Sequence, residues 1–448
     1  MPRRLVGLLI ASTLFAAPAV ALRLACIGSS CGSPAPAQAR VPFCPLPDRL
    51  KGLIAAGYRD GRSPEVLVVP TSPQISGGTS PNTTGVPWPG TSPLPDTSVP
   101  IVFTGPRVKH VPLQAGTGLD QIAPTLAGFL HFNREHPEVR AGQAIPGLDA
   151  RGLSPSLVPR LVLELIWTGV SGDELRALPH SRTPWLRSQV GSGAGTFAGD
   201  TGSVPLDPAA ILTTIGTGGL PFQHGITGSL LRSPSGGVVP AWGKGAPTSV
   251  IATLTEDLDQ AKGQAPKIAL VAPASEDQGL IGGKWYLGHD KDLVDIGGDP
   301  VANARAALAT GLGSDATPDV LGVVLQGTPR QMDQESAAIQ RLAVRAAGGQ
   351  AGLITATAGT GASIDPLVTG AEVAAVVDGA LGVPIVTAST PGGLFLDAAV
   401  QAKAHISGQD VVDSLLPIGS NTPSTAPRRR LTFADAFQGF AVAFRRYC

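Results

Sequence analysis

The chain reads as an α/β protein with a largely parallel central sheet covered by helices on both faces. Three observations predict it. Short β-branched runs alternate with helical segments along the chain. Several runs, such as Leu161–Ile166 and Val320–Leu325, are almost wholly apolar, as strands buried on both faces require. Glycine or proline closes most of them. The 448 residues can bury a large core, and 43% hydrophobic against 15% charged content belongs to a folded chain. Lys+Arg equals Asp+Glu, so no basic face argues for nucleic acid and no polybasic run for anionic lipid.

In chain order, residues 46–57 predict a short helix and 65–69 a buried strand, with a Pro/Gly/Ser/Thr-rich loop over 70–98. Val99–Phe103 is a second strand and Leu119–Leu130 a helix. Strand 160–166 leads into a helix from Asp173, and Ala209–Ile215 forms another. Strands follow at 267–271, 320–325, 351–355 and 384–387, with an amphipathic helix over 332–347 and a helix over 372–381. Thr432–Phe444, rich in Ala and Phe, predicts a closing helix.

The N-terminus predicts export. Arg3 and Arg4 precede an apolar run over 5–17, and Ala19-Val20-Ala21 fits a small-x-small cleavage site. The organisation expected is a signal peptide at 1–21, a Cys-containing leader at 22–45, core segments at 46–150 and 151–420, and the helix at 421–448. Later apolar runs are too short or too charged to span a bilayer. Cys26, Cys31, Cys44 and Cys448 all follow the cleavage point, and an even count in an exported chain predicts two disulfides. Each of the three possible pairings joins Cys448 to one of the other three, which would make the termini neighbours.

The stretch TTIGTGGLPFQHGITG, Thr213–Gly228, is the most distinctive in the chain. A small-residue helix ends at Gly218-Gly219, and a glycine-punctuated loop then holds His224. It resembles the TG-x-x-P-x-x-HGI signature of the alkaline phosphatase superfamily, especially its phosphodiesterase and nucleotide-pyrophosphatase branch. Asp96–Gly105 looks like that family's late VP strand, and Leu119–Leu126 (LDQIAPTL) looks like its closing helix. Both precede the signature here, an order a circular permutation would produce, with the ends close together.

The resemblance implies a two-metal phosphoesterase site, in which Asp and His hold paired dications around a hydroxyl nucleophile. Position by position, the expected ligands are missing. Thr168 stands for the first Asp and Leu206 for the nucleophile. Pro329 and Asp333 stand for an Asp-x-x-x-His pair, Thr357 and Ala358 for an Asp-His pair, and Pro89 for a final His. The expectation is therefore a protein without a metal cofactor or catalytic residues, binding an unknown small molecule or protein. The alternative is a phosphoesterase with two divalent metal ions in a rebuilt site around Asp207, Asp333 and the acidic stretch 289–295.

Other features carry plainer readings. His224 is expected to anchor its loop by hydrogen bonds. Ser171 and Ser203 have no arguable His and Asp partners for a triad. Gly191–Gly195 lacks the GK[ST] ending of a phosphate loop, Arg428–Arg430 reads as solvated, and residues 391–397 read as a turn into a helix with Phe395 in the core.

Overall fold

The computed structural model describes residues 48–64, 66–70, 97–106, 108–134, 139–148, 158–283, 285–286, 292–361, 386–390, 393–396, 414–415 and 440–443. The strands are β1 (Val66–Pro70), β2 (Ser98–Thr104), β3 (Val111–Pro112), β4 (Leu161–Trp167), β5 (Ala194–Asp200), β6 (Leu230–Arg232), β7 (Val238–Pro240) and β8 (Ile268–Ala272). They continue with β9 (Leu293–Ile296), β10 (Asp319–Leu325), β11 (Leu353–Gly359), β12 (Val386–Thr390), β13 (Gly393–Leu396), β14 (Ser414–Leu415) and β15 (Phe440–Ala443).

Eight of these form the central sheet, in the order β3-β5-β2-β11-β4-β10-β8-β9. β4 pairs in parallel with β10 on one side and β11 on the other, while β2 runs against both of its neighbours. All seven residues of β4 are buried, which is why its sequence LVLELIW lacks the alternation of a half-exposed strand. Leu161, Leu163, Leu165 and Trp167 enter one core. Val162 and Ile166 enter the other, and the pleat places Glu164 on their face.

Each core is closed by its own helices. Pro184–Ser192, Pro300–Ala309 and Pro329–Ala346 contribute Leu186, Ala304 and Met332 to the first. Ile122–Phe129, Pro208–Thr217 and Leu254–Ala261 contribute Leu126, Ile211 and Leu258 to the second. The chain is thus a mixed α/β protein with a mostly parallel sheet covered on both faces. A second, antiparallel sheet has the order β12-β13-β1-β15-β14, and β6 and β7 make a hairpin.

Several expectations are corrected. The described part of the closing helix, Phe440–Ala443, is a strand paired with β1 from Leu67↔Ala443 to Pro70↔Phe440; a sheet partner overrides the helix preference of alanine. Gly393–Leu396 is likewise a strand where the start of a helix was expected, although Phe395 is buried as predicted. Gly191–Gly195, expected not to be a phosphate loop, is the end of a helix joined to β5. Gly193 lies so close to β2 that an added Cβ would sit 2.2 Å from the Phe103 carbonyl oxygen. Residues 293–295, the end of the acidic stretch, fall in edge strand β9. The four cysteines, Pro89, helix 372–381 and Arg428–Arg430 lie outside the described residues.

Candidate functional site

In open α/β sheets ligands bind in the crevice beyond the carboxyl ends of the parallel strands. The signature stretch folds as a capped helix followed by a tight turn. Helix Pro208–Thr217 is capped by Asp207, carries Pro208 at its first position and ends on Gly218 at φ +75°, where a side chain would be strained. The turn Pro221–His224 follows and ends on Gly225 at φ +80°.

His224 is fully buried. Its Nδ1 accepts the Ile226 N–H at 3.1 Å, so the proton sits on Nε2, which donates to Thr214 Oγ1 at 3.1 Å. Thr214 in turn donates to the Ala210 carbonyl. Burial, with Arg62 and Arg59 nearby, lowers its pKa to about 3. The imidazole is therefore a neutral loop anchor.

Among the described residues, the positions matched to the family's metal ligands and nucleophile are engaged within the fold. Thr168, just past β4, donates both its N–H and its Oγ1 to the Leu325 carbonyl, at 2.9 and 3.0 Å, tying the ends of β4 and β10. Its neighbour Gly169 donates to Thr360 Oγ1 at 3.1 Å, and Thr360 N–H bonds the Trp167 carbonyl. Thr357 and Ala358 lie within β11, buried and in register with Leu165 and Ile166. Pro329 opens helix Pro329–Ala346.

Asp333, on that helix, is buried and accepts the N–H groups of Trp185 at 3.1 Å and Leu186 at 2.8 Å. It satisfies orphan donors at the start of helix Pro184–Ser192. Burial raises its pKa while these bonds oppose the shift. Leu206 packs against the second core, and Asp207 accepts Ala209 N–H at 3.0 Å and Ser229 Oγ at 2.9 Å. Ser171 caps helix Gly172–Ala177 through Glu174 N–H. These residues do not fit a dication pair: their oxygens serve strand ends and helix starts, and the aligned Leu, Pro and Ala offer no side-chain ligand. Among the described residues, no group of three or more His, Cys, Asp or Glu is placed to hold a metal ion.

Other polar groups escaped sequence reasoning. Asp120, beside the start of the helix that follows it, has a pKa raised to about 6 by burial, with Asp200 adding to the rise. Asp277 is likewise raised to about 6 by burial, helped by Glu276 and Asp207. In the second core, Arg134 Nε and Arg140 Nη2 share Asp257 Oδ2 at 2.7 and 3.1 Å, and Tyr286 donates to its Oδ1 at 3.0 Å. Both arginines also bond the Thr217 carbonyl. Glu164 is buried at the middle of β4, in register with Gly322 and Ala356, and its Oε1 has no hydrogen-bond partner. Burial raises its pKa to about 8, with Arg134 opposing. Only Glu164 had a visible sequence signal: a carboxylate inside an otherwise apolar strand.

No family model, curated protein or solved structure matches this chain.

Proposed function

We propose that this protein is an exported, non-catalytic binding or structural protein, built on a circularly permuted alkaline phosphatase-like fold whose metal site and nucleophile have been lost. The observation that supports the reading best is the engagement of Thr168. Where the family resemblance calls for a metal-binding carboxylate, a neutral hydroxyl donates to the Leu325 carbonyl and closes the seam between two central strands. Asp207 and Asp333, the acids a rebuilt site would draw on, cap helices in the same way. A carboxylate holding backbone N–H groups at a helix start stabilises the fold, and diverting it to a metal would cost those bonds.

Elemental analysis of the purified chain, with turnover of p-nitrophenyl phosphate mono- and diesters, tests this. The expected result is no stoichiometric Zn, Mn or Mg and no turnover that a chelator abolishes. Two tightly held dications per chain, or chelator-sensitive hydrolysis, would overturn it in favour of a metal-dependent phosphoesterase. Peptide mapping of exported material tests the permutation: Cys448 is expected in a disulfide with Cys26, Cys31 or Cys44.

A further inference from the structure

Helix Asp48–Gly57 and the turn after it lie against the loop that leaves the carboxyl end of β5. The contact is intimate at one point. Val204 N–H donates to the Leu53 carbonyl at 3.1 Å, and an added Cβ at Gly57 would fall 1.9 Å from the Val204 carbonyl oxygen. Leu53, Ile54 and Tyr58 are buried.

The described contacts at the two ends of this element differ. Past the helix, Arg59 donates to the Phe222 and Gln223 carbonyls at 2.8 and 3.0 Å. Arg62 donates to the Gly225 and Thr248 carbonyls at 3.2 and 2.6 Å, and Arg232 N–H bonds the Arg62 carbonyl at 2.9 Å. At the start of the helix, Arg49 makes one-atom contacts at 3.0 Å to Thr97 Oγ1 and Asp200 Oδ2, with its side chain 62% exposed. Thr97 and Asp200 flank the carboxyl edge of the sheet, before β2 and at the end of β5.

A ten-residue helix is marginal by itself and owes its form to docking. Beneath the docked helix, Ser203 beside Val204 is fully buried, and its Oγ has no hydrogen-bond partner. A buried hydroxyl left unbonded disfavours the closed arrangement relative to one that admits water.

We infer that helix Asp48–Gly57 is a hinged strap, pinned at Arg59 and Arg62 and latched at Arg49, whose release uncovers the loop Thr201–Leu206 at the carboxyl edge of the sheet. A ligand for that part of the edge gains access when the latch opens. The inference concerns access alone and does not depend on the absence of catalysis. The metal and phosphate-ester assays can therefore fail without touching it, and the reverse holds.

Hydrogen exchange of the full chain tests it, read at the Val204 amide against amides of β4 and β10. The strap predicts that Val204 is protected but exchanges by a local opening, well before the central strands. Arg49→Ala should speed that exchange about 1.4- to 5-fold, the range an exposed ion pair spans. Arg49→Lys should recover part of the protection, and added salt should speed the wild type more than Arg49→Ala. The inference is overturned if Val204 exchanges only with global unfolding, if it is unprotected in the wild type, or if neither Arg49→Ala nor salt alters its rate. Arg49→Ala should keep a single cooperative urea transition, its folding equilibrium weakened by no more than that same factor, which separates loss of the latch from loss of the fold.

Discussion

The two faces of the central sheet are equally buried yet handle polarity in opposite ways. On the face of Trp167, three polar groups meet partners of matching chemistry, although Thr183 Oγ1, Arg187 Nε and Glu335 Oε2 in the same layer have none. Trp167 Nε1 donates to Ser336 Oγ at 2.9 Å, Trp185 Nε1 donates to Gln340 Oε1 at 2.8 Å, and the Asp333 oxygens hold two backbone N–H groups. The indole rings stack at 6.5 Å. The face of Val162 and Ile166 instead takes in ionisable groups: two guanidiniums around Asp257, and Glu164 with one oxygen unbonded. Hydrogen bonds between neutral groups are nearly indifferent to pH, whereas a buried ionisable group, Asp333 on the first face included, ties stability to it. The first face should thus supply the more constant part of the stability and the second the more conditional part.

The largest effect is expected at Asp257. Asp257→Ala leaves two buried guanidiniums facing each other without their shared carboxylate, and breaking such a pair costs about 3–5 kcal/mol. Urea unfolding should show this as a lower midpoint; both arginines also donate to the Ala252 carbonyl, and a loss under about 1 kcal/mol would mean that the carbonyls of Thr217 and Ala252 suffice to hold them.

On the other face, Asp333→Ala removes the acceptor for two N–H groups at a helix start and should cost about 1–3 kcal/mol. Asp333→Asn keeps one good acceptor and should cost less. If the two faces respond alike to pH in these variants, the contrast drawn between them is wrong.

Glu164 gives the sharpest pH test. Its folded pKa of about 8 lies above the unfolded value, so between those values the folded state binds the extra proton. Stability from this group is fully present below the unfolded pKa and is lost as pH rises through about 8. Glu164→Gln, which cannot ionise, should match the wild type in mild acid and become the more stable chain in mild alkali. Denaturation midpoints measured across that window decide it, and a constant difference would show that Glu164 is solvated.

His224 has the opposite sign. Its pKa is lowered to about 3, so the unfolded chain binds the extra proton between about 3 and 6.5. Its contribution is present above that window and declines as pH falls through it. The imidazole 15N shifts should report a neutral ring with Nε2 protonated throughout mild acid. Titration near the ordinary value would contradict the buried anchor and open the loop to a chemical role again.

Much of the architecture was legible in the chain. The apolar runs at 161–166 and 320–325 are buried parallel strands because a strand covered on both faces needs no alternation. The glycines at 218 and 225 mark positive-φ turns, and His224 in its small-residue setting is the hydrogen-bonded anchor expected. The strand Ala194–Asp200 was hidden because its glycines read as loop. They serve close approach to β2, where Gly199 has Ile101 atoms within 3 Å of an added Cβ. Nothing local could reveal Asp333 as a cap, since its partners Trp185 and Leu186 are 148 and 147 residues away.

Local pattern by itself determined the α/β class, five of the eight central-sheet strands, the ends of the helices it named correctly and the identity of the anchoring histidine, because each depends on neighbours within a turn or on simple periodicity. Tertiary structure alone decided the employment of the polar groups. Whether Thr168 offers its oxygen to a ligand or its proton to Leu325, and whether Glu164 is charged, follows from which distant strands and helices exclude water around them.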